Sequence, residues 1–227
     1  MRKAFRERWT TRDGRLTSDA QTAYALAVAF DLYDSDEEAA AAGDRLAELV
    51  AEAGNRIATG FAGTPLIADA LTASGHLRTA YDLVLERGCP SWLYTVLAGG
   101  TTIWERWDSL LPDGAVNPGG MTSFNHYALG AVADWLHRTV AGIAPVEPGY
   151  RRIRFAPRPG GGLTSASARH LTPYGEAAVG WRLDDGVLEV RVTLPVGTSG
   201  VVVLPDGAEH EVRPGTSVLS AATAVTA

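Results

Sequence analysis

Residues Gly99-Gly-Thr-Thr-Ile-Trp-Glu-Arg-Trp-Asp108 set two tryptophans, two carboxylates and an arginine within five consecutive positions. These are the components of sugar chemistry. Indole faces make an apolar wall for a pyranose ring, a guanidinium supplies a fixed cation, and a carboxylate tuned by its surroundings can act as acid or base. Glu105 is the candidate for that carboxylate. The same residues also fit a purely structural role, in which Glu105 and Arg106 pair at the surface while Trp104 and Trp107 plug the end of a core. A second candidate, His126 in Ser123-Phe-Asn-His-Tyr127, lies near an expected helix start, where it can donate to a substrate hydroxyl. A lone His near a helix start is more often an ordinary residue, here beside an N-cap at Ser123 or Asn125.

Other chemistries find little support. Gly160-Gly-Gly162 lacks the Lys and the helix of a phosphate loop and reads as a connection. Ser91 sits in no Gly-x-Ser-x-Gly elbow, and Cys89 precedes Pro90 with no neighbouring His, so neither is a nucleophile. His76, His137, His170 and His210 show no ligand spacing, so no metal site and no cofactor is expected. Asp19 beside Ser18 reads as a helix-start acid that complements the dipole.

The elements that must hold these residues change character near position 142. Before it the chain reads as about six helices. Ser18 with Gln21 and Ser35 with Glu38 have capping-box spacing, the first ahead of Tyr24, Val28 and Leu32, the second opening a helix that stops at Gly54-Asn55. Thr64-Pro65 opens a third and Gly75 closes it. Helices are expected over His76 to Glu86, Ser91 to Leu97 and Ser123 to Val140, with a loop from Gly99 to Gly120. Beyond Gly142 come strands at Tyr150–Phe155, Ala177–Leu183, Val187–Leu194 and Val201–Leu204. Asp184-Asp185-Gly186 supplies a hairpin turn, and Ser217 to Ala227 is expected to fray. The fold class is therefore multidomain α and β: a helical layer over 1–141, then a small antiparallel β-sandwich over 142–227.

Composition narrows the function. The chain has 227 residues, 46% of them hydrophobic, and a net charge of −6. Residues 1–141 hold 12 basic and 18 acidic side chains and so carry the whole imbalance, whereas 142–227 hold 8 of each. That balance does not suit a phosphate backbone, so no nucleic-acid partner is expected, and Arg2, Arg6, Arg8 and Arg12 read as a solvated face. No apolar run reaches the ~18 residues of a membrane span. The N-terminus has no signal-peptide core, and the single cysteine fits the cytoplasm.

Five blocks, in order, are similar to the C-terminal part of the catalytic region of bacterial α-L-rhamnosidases of glycoside hydrolase family 78. They are Ser18-Asp-Ala-Gln-Thr-Ala-Tyr-Ala-Leu-Ala27, Gly60-Phe-Ala-Gly-Thr-Pro65, Pro90-Ser-Trp-Leu-Tyr94, Thr101-Thr-Ile-Trp-Glu-Arg-Trp-Asp108 and Ser123-Phe-Asn-His-Tyr-Ala128. The resemblance implies about half the helices of an (α/α)6 barrel followed by the family's small β-sandwich. It implies hydrolysis of terminal non-reducing α-L-rhamnose by inversion, with Glu105 as general base and His126 contacting the sugar. Trp104, Arg106 and Trp107 would shape the same pocket.

The family's general acid belongs to an upstream Arg-Asp-Glu-Arg-like block that this sequence does not contain. The expectation is a C-terminal fragment, inactive or nearly so alone. Its partners would be a rhamnose-containing glycoside and either the N-terminal part of the barrel or a second copy. The alternative is a non-catalytic remnant that binds carbohydrate or pairs with another chain.

Overall fold

The structure, a computed structural model, describes residues 1–223. It divides into two compact units, Met1–Val132 and the residues from Ala133 onward.

The first unit is built from helical hairpins. Helices α1 (Arg2–Trp9), α2 (Gln21–Ala29), α3 (Asp36–Glu52), α4 (Thr64–Ala73), α5 (Leu77–Leu85) and α6 (Trp92–Leu97) follow in order. Their composition decides their depth. α2 (QTAYALAVA) carries no charge and α4 (TPLIADALTA) only Asp69, and these two pack against each other. α3 and α5 bury a single stripe each, Ala42, Gly43, Leu46 and Val50 in the first, Ala80, Tyr81, Leu83 and Val84 in the second. α3 packs on α2 and α5 on α4, so amphipathic helices back the apolar ones. This alternation is that of part of an (α/α)6 barrel.

The Ser35–Glu38 cap forms as read: Ser35 Oγ accepts from Glu38 N–H at 3.2 Å, and Glu38 Oε2 accepts from Asp34 N–H at 3.1 Å. The Ser18–Gln21 cap does not. Ala20 is the N-cap of α2, with no side-chain cap bond. Gln21 is buried instead, donating to the carbonyls of Leu49 and Arg56 and accepting from Ala58 N–H at 2.8 Å. A buried amide is satisfied by fixed backbone partners, and that need outweighs a solvent-facing cap. Asp19 is likewise no simple dipole partner. It accepts from Arg45 at 2.8 and 3.0 Å and from Tyr24 Oη at 3.0 Å.

The helix expected over Ser123 to Val140 is shorter and uneven. Residues 123–127 are irregular, Ala128–Ala131 form a 3₁₀ turn, α7 spans Val132–Trp135, and Leu136–Ala141 form a π-helical stretch closed by Gly142 at φ 90°. Seven α-helices thus precede the strands among the described residues.

In the second unit, β1 (Ile143–Pro145), β2 (Arg152–Phe155), β6 (Ser199–Val203) and β7 (Glu209–Val212) make one sheet in the order β1-β2-β6-β7. β3 (Ser165–Thr172), β4 (Gly175–Asp184), β5 (Val187–Leu194) and β8 (Gly215–Ala222) make the other, in that order. The expected antiparallel sandwich has one parallel seam, where β2 and β6 pair with Arg152 opposite Ser199. Ile153, Phe155 and Val202 of one sheet share a core with Val179, Trp181, Leu188, Val190 and Val192 of the other. Asp184 pairs with Val187 across a two-residue turn at Asp185 (φ 44°) and Gly186 (φ 75°), the left-handed pair that suits a right-twisted hairpin.

The expectation of a frayed end is corrected. β8 pairs with β5 from Gly215 to Ala222, because small alternating side chains suffice when the partner strand supplies the apolar face. Residues 224–227, the rest of that segment, lie outside the described residues. Ala141 belongs to the sandwich core, and Val140 accepts from Trp181 Nε1–H at 2.7 Å. The last helical turns are therefore tied to the sheets.

Candidate active site

The candidate residues lie on two irregular segments that zip together. Glu105 N–H donates to Ser123 O at 2.9 Å and His126 N–H donates to Ile103 O at 2.8 Å, while the Thr102 hydroxyl donates to Phe124 O. This pairing of residues 102–105 with 123–126 brings Glu105 and His126 onto one loop pair although 21 residues separate them. Glu105 is half-buried, and its Oε2 accepts from Ser123 N–H at 3.2 Å, so backbone on the opposite segment fixes the carboxylate.

The alternative Glu105–Arg106 surface pair is not formed among the described residues. Arg106 turns to Asp108, Nε to Oδ1 at 2.5 Å and Nη2 to Oδ2 at 3.1 Å, and donates to Gly120 O at 3.2 Å. The bidentate Arg106 bond, with Asn117 adding another at 2.9 Å, holds the Asp108 carboxyl below the usual carboxylate range, and Asp108 in turn raises Arg106. Glu105 is thereby left outside the ion pair.

The tryptophans part company. Trp104 is 3% exposed and meets Phe124 edge-on at 5.3 Å, beneath the loop. Trp107 is half-buried, edge-on to Trp92 at 5.3 Å, and lines a cavity of about 420 Å³ with Cys89, Pro90, Arg106, Asp108, Gly120 and Met121. Trp92 anchors that corner by donating Nε1–H to Leu129 O at 2.8 Å. Burial pushes the Cys89 thiol up, which keeps it protonated and poorly nucleophilic at neutral pH.

His126 is half-buried and stacks on Phe61 at 4.9 Å and on Tyr127 at 5.2 Å. Sequence reading gave Phe61 no role, although it stands in the Gly60-Phe-Ala-Gly-Thr-Pro65 block. Among the described residues no group of three or more His, Cys, Asp or Glu side chains is placed to hold a metal ion. Nor is any helix among them long and apolar enough to cross a membrane.

The Asp19 cluster gives a pH test. Arg45 holds Asp19 at about 2, with Tyr24 adding a third hydrogen bond. Because the folded value is depressed, the stability that Asp19 contributes is complete above the unfolded carboxylate value near ~4 and is lost as pH falls through about 2. Asp19→Asn is therefore expected to be less stable than wild type at pH 7, and the gap between their urea midpoints to narrow from pH 4 down to pH 2. A constant gap would assign the loss to packing.

A helical layer of paired hairpins followed by a β-sandwich is the architecture of the six-hairpin glycosidase class. The pattern for the bacterial alpha-L-rhamnosidase six-hairpin glycosidase domain matches residues 1–140, and that for the bacterial alpha-L-rhamnosidase C-terminal domain matches residues 142–218. The chain belongs to the bacterial α-L-rhamnosidase family, glycoside hydrolase family 78.

An alpha-L-rhamnosidase of Streptomyces avermitilis is 40% identical over 94% of this chain, and one of Formosa agariphila 43% identical over 82%. Each match takes in 20% of the relative, so the chain spans about a fifth of the length of these proteins. Among solved structures, the native Aspergillus terreus alpha-L-rhamnosidase superposes with a TM-score of 0.93 at 43% identity, over 96% of this chain and 26% of that one. The Streptomyces avermitilis alpha-L-rhamnosidase complexed with L-rhamnose gives 0.91 at 37% identity, over 97% and 23%.

Proposed function

We propose that this chain carries the water-activating half of an inverting α-L-rhamnosidase site, with Glu105 as general base and with His126, Arg106 and Trp107 around the sugar. The observation that carries the proposal is the loop pairing, in a chain of this family, that sets Glu105, without an ion pair among the described residues, and His126 on one pair of segments. In the reaction, Glu105 takes a proton from water, the water oxygen attacks the anomeric carbon from the face opposite the aglycone, and the glycosidic bond breaks. The leaving oxygen takes its proton from a second carboxyl about 6.5–9.5 Å from the base. We assign that acid to the upstream Arg-Asp-Glu-Arg-like block, which this sequence does not contain. The occupant is a terminal non-reducing α-L-rhamnoside, and the partner is the upstream part of the barrel. Trp104, buried, supports the loop from beneath. The single cysteine accords with a cytoplasmic setting.

The test uses this chain alone and a chimera in which it replaces the matching segment of the Streptomyces avermitilis relative. General acid–base help is worth about 10²–10⁴-fold per group. The chain alone is expected to release rhamnose from an aryl α-L-rhamnoside no faster than buffer, and the chimera to release it readily. Release by the chain alone, abolished by Glu105→Gln, would place the acid within these residues and sink the division of labour.

A further inference from the structure

Four backbone and ring contacts converge on His126. Its main-chain N–H is tied to Ile103 O at 2.8 Å. Its Nδ1 lies 3.3 Å from Ala128 N–H, which donates to it. Its ring lies nearly parallel to Phe61, at 16°, and to Tyr127, at 10°. An imidazole whose Nδ1 lone pair accepts a hydrogen bond carries the proton of its neutral form on Nε2. The ring planes are fixed by the stack, so the edge bearing Nε2–H is the one left to meet a ligand.

Phe61 comes from the turn just ahead of α4 and is 38% exposed, so it owes its placement to the ring it covers more than to a deep core. We infer that Phe61 is a positioning residue that holds His126 as the Nε2–H tautomer, making His126 a donor, and not an acceptor, toward the sugar. The inference rests on the reading of His126 as a sugar-contacting residue. It extends that reading to a third stretch of chain, since the stack joins the turn at Phe61 to the 123–127 segment.

The experiment is side-chain ¹⁵N–¹H correlation NMR on the full chain at pH 8, with the His126 signals identified by their loss in His126→Gln. Wild type is expected to show the Nε2–H pattern for His126. Phe61→Leu, which keeps an apolar side chain but removes the ring, is expected to move both nitrogens toward the averaged shifts of a free imidazole, and Phe61→Tyr to keep the wild-type pattern. In the active chimera, Phe61→Leu is expected to raise KM by about tenfold, the scale of one hydrogen bond, with Phe61→Tyr close to wild type. An Nδ1–H pattern in wild type, or wild-type shifts in Phe61→Leu, would overturn the inference whatever the kinetics. If the shifts behave as expected but His126→Ala leaves KM unchanged, the assignment of His126 to the sugar fails instead.

Discussion

In the active chimera, Glu105→Gln lowers kcat by about 10²–10⁴-fold with little change in KM. Glutamine keeps the shape of glutamate and can still accept the Ser123 N–H bond, so the loop pairing that fixes the side chain survives. Only the capacity to take a proton from water is lost. Arg106 is engaged by Asp108, so the substitution strands no buried cation there. A structural role for Glu105 would give a lower melting temperature and near-normal turnover. The sharper version uses Glu105→Ala with azide, an anion that attacks without a base. Azide is expected to restore turnover and yield β-L-rhamnosyl azide, and failure of rescue in a folded protein would count against the assignment.

The largest stability effect is expected at Gly142→Ala. Gly142 sits at φ 90°, closing the last helix, and its carbonyl accepts from Ala156 N–H at 2.7 Å. A Cβ there would lie 2.2 Å from Pro157 N and 2.6 Å from Ala156 C, both backbone atoms that no rotamer change can clear. The left-handed conformation costs roughly 1–2 kcal/mol and the overpacking roughly 1–3 kcal/mol more, so the unit from Ala133 onward is expected to lose about 2–5 kcal/mol. Gly207→Ala is the control: it shares the positive φ, at 85°, but its Cβ would meet nothing within 4 Å. Only the first part of the cost applies to it. Melting curves in which the two variants fall together would show that the strand relaxes around the new methyl group.

Features with a local cause were legible in the sequence. Ser35 with Glu38 announced a cap because both partners lie within one turn of helix. Asp185-Gly186 announced a hairpin because both positions need positive φ. Features with a distant cause were not. β3 (SASARHLT) fully buries only Ala168 and Thr172, so no apolar alternation marks it, and it is a strand because β4 pairs along its whole length. The parallel β2–β6 seam joins residues almost fifty positions apart. Gln21 looked like a cap residue because nothing near it in sequence reveals the carbonyls of Leu49 and Arg56.

At the site, residue types and the family resemblance singled out Glu105 and His126, which the loop pairing places on two bonded segments. Contacts that skip a residue or cross the chain were not legible. Arg106 pairs with Asp108 two positions on, and Phe61 reaches His126 from another loop, whereas the buried Trp104 fits the core-plugging role weighed for it.

The most direct measurement of the central claim is ¹H NMR of the anomeric region while the chimera hydrolyses an aryl α-L-rhamnoside, read before mutarotation mixes the products. A Glu105-activated water attacking opposite the aglycone predicts β-L-rhamnose as the first product, with no such signal from Glu105→Gln. First appearance of α-L-rhamnose would make the reaction retaining, and would contradict a base that acts through water.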